Sequence, residues 1–168
     1  EASPAKACVG TFLPITGAAV QLEVTAALDG DVRSVSASAS GGVVANGFFF
    51  SNGQDPVDEN QQLVARGDIR GQVEQALERI GQSLDAAGME FGDVIKVNGT
   101  VPAWYGFSRY SEAYSKYFSE PFPARATVEG KLSTEAALIS FEVVAVKSAE
   151  RITVESTVTG LSHLALKK

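Results

Sequence analysis

Cysteine and histidine each occur once in the 168 residues. Cys8 has no second thiol to pair with, so no internal disulfide can form, and an undisulfided chain fits a reducing interior, with the cytoplasm as the expected setting. His163 stands without a second histidine or a cysteine cluster, so no metal site is expected. Basic residues are also short: 14 Lys and Arg stand against 20 Asp and Glu, for a formal net charge of −6. No dense Lys/Arg run appears, which argues against a nucleic-acid backbone as partner. No apolar run approaches the ~20 residues that cross a membrane. Ala7 to Val20 is apolar enough to look like the core of a signal peptide, but Gly10, Pro14 and Gly17 interrupt it and only Lys6 precedes it. The first residue is Glu1 rather than methionine, which leaves room for a segment removed ahead of it. A Gly-rich phosphate loop, a nucleophile elbow and internal repeats are all missing.

What remains suffices for one domain over residues 1–168, because a chain of this length buries about 70% of its unfolded surface and needs no staple. Gly67 to Ala87 is the clearest helix: Ile69, Val73, Leu77, Ile80 and Leu84 form one stripe, while Arg70, Glu74, Glu78 and Asp85 face outward. Asp68 is its expected N-cap and Gly88 its stop. A second helix is expected from about Ser108 to Phe118, with an aromatic stripe of Tyr110, Tyr114, Tyr117 and Phe118. Strands are expected at Val94–Val101, Ala124–Gly130 and Ala137–Lys147. Ser34–Gly42 reads as a strand with one polar face or as a loop. Ala19–Leu28 and Arg151–Val158 read as extra strands at either end, which would pair with each other.

The most informative stretch is Pro121 to Glu129. Pro123 fixes its own φ and biases Phe122 toward extended geometry, so the chain enters the strand stiffly and presents Arg125 in a defined direction. A planar guanidinium held that way suits a carboxylate, although a rim arginine in a surface ion pair is the commoner case. Alternation puts Arg125, Thr127 and Glu129 on one face and Ala126 and Val128 on the other.

Several separated motifs resemble the RidA (YjgF) family. Gly47 to Val57 resembles its hydrophobic strand ending in a serine-glycine-glutamine-x-proline turn, here Ser51-Asn52-Gly53-Gln54-Asp55-Pro56. Leu84 to Gly88 with Gly92 to Val97 resembles its helix-to-strand unit, and Tyr114 to Phe118, Pro123-Ala124-Arg125 and Phe141 to Val146 complete the order. The resemblance runs from about residue 42 to 147 and leaves 1–41 and 148–168 partly as extensions. It implies an α+β, chorismate-mutase-like fold: a mixed sheet with two helices packed on one face, assembled as a homotrimer with sites between subunits. It also implies hydrolysis of enamines and imines such as 2-aminoacrylate to 2-oxo acids and ammonia, with no cofactor. Some relatives are called endoribonucleases, a reading the charge balance disfavours.

Site residues implied by the resemblance are Arg125 for the substrate carboxylate and the Thr127 backbone for the nitrogen end. Ser51, Gly53 and Gln54 come from the turn, and Ser111 from the second helix, where the family has asparagine. Trp104 and its neighbour Tyr105 form a packed loop or a ligand wall. Where the family has a proline- and tyrosine-containing loop, this chain has Ala37-Ser38-Ala39-Ser40. The family's water-orienting glutamate aligns with Ser140, which cannot take a proton as a carboxylate does, and losing such help typically costs ~10² to 10⁴ in rate. Glu142 shares that strand face about 6 to 7 Å farther along, a structural residue or an imperfect substitute. Three classes follow: a deaminase on a small carboxylate-bearing substrate, a pathway enzyme catalysing cyclisation or dehydration, and a non-catalytic trimer binding small acids.

Overall fold

The computed structural model describes residues 4–10, 17, 24–37, 40–147, 151–155 and 162–166. Strands β1 (Val32–Ala37), β2 (Ser40–Ala45) and β3 (Phe48–Ser51) lead to helix α1 (Ile69–Ala87). Then come β4 (Val94–Val101), helix α2 (Phe107–Tyr114), β5 (Ala124–Glu129) and β6 (Ser140–Val146). A six-stranded sheet results, ordered β1-β2-β3-β6-β4-β5, in which only β4 and β5 run parallel. That parallel pair is joined through α2, as a crossover requires. The fold is α+β, and β5 is an edge strand.

Helix α1 starts where Asp68 accepts a hydrogen bond from the Arg70 amide at 3.1 Å. It ends on Gly88 at φ 75°, where the Gly88 and Met89 amides close back on Asp85 and Leu84. Val73, Leu77, Ile80 and Leu84 are fully buried against the sheet. Each contributes roughly 1.5–3 kcal/mol of gross burial energy, set against the entropy of ordering the chain. Phe49, Val97, Phe141, Val143 and Ala145 meet them from the sheet's inner face. The opposite, outer face carries Phe48, Phe50, Val144 and Val128, and among these Phe48 is 36% and Val128 53% exposed.

Three expectations change. The second helix ends at Tyr114, because the Lys116 and Tyr117 amides bond three residues back, to Ala113 and Tyr114, and tighten the last turn out of α geometry. Phe118 nevertheless stays buried, its ring 4.5 Å from that of Tyr114. Of the expected strand Ala19–Leu28, residues 19–23 lie outside the described residues, and the rest forms no ladder, with Val24 79% and Leu28 96% exposed. The C-terminal strand β7 (Arg151–Glu155) pairs with β8 (Ser162–Leu166), and among the described residues it forms no ladder with the N-terminal part. Pairing across a short connection closes a small loop, which costs less entropy than a pairing that spans the whole chain.

Candidate functional site

Arg125 sits on the edge strand opposite Val97, whose side chain is fully buried on the helix-bearing face, so the guanidinium faces α2. Its carbon lies 4.7 Å from the centre of the Tyr114 ring, 5.4 Å from Tyr110 and 5.8 Å from Phe107. These rings attract a cation through their faces and take up none of its hydrogen-bond donors. Among the described residues no carboxylate pairs with Arg125. Arg125 is exposed and sits on an aromatic floor, with its donors turned to solvent.

Thr127 shares that face, and its hydroxyl lies 3.2 Å from the Tyr110 hydroxyl. Phe107 stacks on Tyr110, and Trp104 meets Phe107 edge-on, so the half-exposed indole extends the same floor while Tyr105 points to solvent. Ser111 is half-buried on α2, one residue past Tyr110. Burial holds the Tyr114 hydroxyl far above its usual pKa, against the pull of the neighbouring Arg125 charge.

The remaining candidates lie across the sheet. Ser140 pairs with Thr100 and Glu142 with Asn98, on the outer face. With Gly53, Asp55, Ser133 and the segment Lys6–Val9 they line a cavity of about 210 Å³. Ser133 and Thr134 both donate to the Asp55 carboxylate, which fixes that acid at the rim. Arg125 and Thr127 therefore face the helices, whereas Ser140 and Glu142 face away from them. One chain does not bring the two groups to one small ligand.

Two expected ligand residues are committed to the fold. The Ser51 hydroxyl accepts from the Val143 amide at 2.9 Å, tying β3 to β6. Gln54 is 1% exposed: its backbone bonds Phe141 in both directions and its side-chain oxygen accepts from Arg79 at 3.2 Å. Burial lowers the Arg79 pKa, while Asp55 and Asp58 oppose that shift. Of the three turn residues expected at the site, Ser51, Gly53 and Gln54, Gly53 is the one that reaches the cavity. Glu129, level with Val101 on the helix side of the strand, is exposed and lies outside both groups.

Asn98, Thr100, Asp55 and Tyr110 are the residues the sequence reading missed. Alternation along β4 could have shown Asn98 and Thr100 on one face with Lys96. Asp55 meets Ser133 across 78 positions, a juxtaposition without a local signal.

Residues 33–147 match the family profile described as Endoribonuclease L-PSP. The chain belongs to the RidA (YjgF) family. The match begins ahead of residue 42, taking in β1. A RutC family protein of Pyrococcus horikoshii is 38% identical over 62% of this chain and 83% of its own. The 2-iminobutanoate/2-iminopropanoate deaminase of Salmonella typhimurium is 32% identical over 63% of this chain and 84% of its own. The crystal structure of E. coli TdcF with bound serine superposes with a TM-score of 0.57 at 25% identity, covering 73% of this chain and 92% of that one. The mixed sheet with two helices seen here matches that of RidA-fold neighbours among the solved structures.

Proposed function

We propose that this RidA-family chain hydrolyses a small carboxylate-bearing enamine or imine to an oxo acid and ammonia, without a cofactor and as a homotrimer in a cytoplasmic setting. The observation that carries the reading is Arg125: an exposed guanidinium on three aromatic faces, with no carboxylate partner among the described residues. Such a group is prepared for an anion, because its charge is held in place and its planar fork is open for bidentate binding. The deaminase of Salmonella typhimurium, a relative by sequence, supports the choice of reaction.

The split of the site supports assembly. Arg125 lies on an edge strand, and the cavity holding Ser140 and Glu142 opens on the outer face, so a second copy is needed to bring the groups together. With the carboxylate on Arg125 of one subunit, the carbon–nitrogen double bond would reach the neighbour's pocket. A protonated imine there accepts water at carbon as the π pair moves to nitrogen. The carbinolamine then loses ammonia, its C–N bond breaking as the hydroxyl becomes the new carbonyl, and the proton leaves with ammonia as ammonium. Glu142 is the carboxylate placed to take the water's proton, and Ser140 and Asn98 supply hydrogen bonds.

The test is ammonia release from freshly generated 2-aminoacrylate, compared with the uncatalysed rate and with Arg125→Ala. Release well above background that Arg125→Ala removes is the expected result. Calorimetric binding of 2-oxo acids without any acceleration would move the protein to the small-acid-binding class. Serine in place of the water-orienting glutamate favours a second reading, a cyclisation or dehydration in which an activated water would be unwanted.

A further inference from the structure

Lys6–Gly10 lies ahead of the matched family region, yet it is fastened to the sheet at both ends. At one end the Lys6 amide donates to Asn52 Oδ1 at 3.0 Å, and the Gly53 amide donates to the Lys6 carbonyl at 3.0 Å. At the other, Gly10 and Lys131 exchange both backbone hydrogen bonds, at 2.8 and 2.7 Å. Between these anchors Ala7, Cys8 and Val9 line the outer-face cavity together with Ser140. The approach is close: a Cβ at Gly53 would stand 3.0 Å from that of Ala7, and one at Gly130 would stand 3.3 Å from the Gly10 carbonyl. Both glycines thus make room for the strap.

A shortening on the sheet leaves space for it. Ser140 has three fewer heavy side-chain atoms than the glutamate the family resemblance places there. We propose that Lys6–Gly10 is a fixed wall of this pocket that sets ligand length, admitting small acids with short side chains and excluding bulky ones. The consequence for substrate rests on the deaminase reading; the wall itself does not. A cavity of about 210 Å³ is below the ~300–1,000 Å³ of sites for drug-sized molecules, which agrees with a short ligand.

The test reads the wall without any substrate. In full-length protein carrying Cys8→Ala, Ser140→Cys places the only thiol on the cavity floor. Its reaction with methyl methanethiosulfonate is compared with that of a pyrenyl maleimide, each normalised to free glutathione. Adding Gly10→Pro removes the amide that donates to the Lys131 carbonyl, one of the two bonds there, and so loosens the far anchor. With the strap intact the bulky reagent should be slower by about tenfold or more, and Gly10→Pro should remove most of that difference. Equal discrimination with and without Gly10→Pro overturns the proposal, as does no discrimination with the strap intact. If Ser140→Cys does not fold, Thr100→Cys on the same floor replaces it. Failure of ammonia release or carboxylate binding, by contrast, bears only on the deaminase reading.

Discussion

At the scale of single residues, Arg125 separates binding from folding. Arg125→Ala removes an exposed side chain, so the melting temperature should hold while affinity for small 2-oxo acids collapses, since each charge-assisted hydrogen bond is worth about 1.5–3 kcal/mol. Unchanged calorimetric affinity would make Arg125 a packing residue for α2. Ser140→Glu restores a carboxylate on the cavity floor, and deamination of 2-aminoacrylate should speed up with little change in KM, because the group acts mainly in the transition state. A folded variant no faster than wild type would favour the cyclisation or dehydration reading. Tyr114 makes a prediction about pH. Its buried hydroxyl has no hydrogen-bond partner among the described residues, and burial raises its pKa above the ordinary value of 10. The unfolded chain therefore loses this proton first, so the contribution to stability is complete below about pH 10 and declines as pH rises beyond it. Tyr114→Phe should leave stability at pH 7 equal or higher and flatten this alkaline decline, as thermal melts between about pH 8 and 11 would show. Sequence reasoning reached Arg125 through its stiff entry to a strand and Ser140 through the family resemblance. It did not reach the rings beneath Arg125, because stacking across α2 and β5 is a product of packing.

At the scale of elements, α1 was legible almost to the residue, since its cap, stripe and stop all point the same way. Asp68→Ala should cost about 0.5–2 kcal/mol through the lost cap. Gly88→Ala should cost about 1–2 kcal/mol through the left-handed backbone it would strain. Both are measurable as shifts of the urea midpoint at constant m value, and a changed m value would mean that the cap also shapes the unfolded state. The pair Arg70–Glu112 joins α1 to α2 and the pair Lys116–Glu74 joins α1 to the turn after α2, both at the surface, where such pairs contribute at most about 1 kcal/mol. The N-terminal strap was not legible as an element. Residues 6–10 have no strand pattern, and their hydrogen bonds go to Asn52, Gly53 and Lys131, far along the chain.

At the scale of the molecule, the sheet has one covered face and one open face. Both helices lie on the inner side, and the outer side presents Phe48, Phe50, Val144 and Val128. An exposed apolar sheet face of this kind is commonly buried by association. The same copies that cover it would bring Arg125 to the cavity of a neighbour. Light scattering at micromolar concentration should return about three times the 17.6 kDa monomer mass. A monomer would remove the shared site along with the trimer, whereas a dimer would keep a shared site and change its geometry.

By itself the sequence determined what depends on local pattern: the period of α1, the alternation along β4, β5 and β6, the stiff entry to Arg125, and the ordered motifs that mark the family. Those properties are encoded within a few residues of one another, by backbone geometry and by which side chains shun water. Tertiary structure alone decided that Arg125 and Glu142 stand on opposite faces of one sheet, that Gln54 serves Arg79 rather than a ligand, and that Lys6–Val9 lines the pocket. The physical reason is distance along the chain. Which strand lies beside which, and what an extension finds to bond, follow from closing the whole sheet, where the energies of many weak contacts are summed.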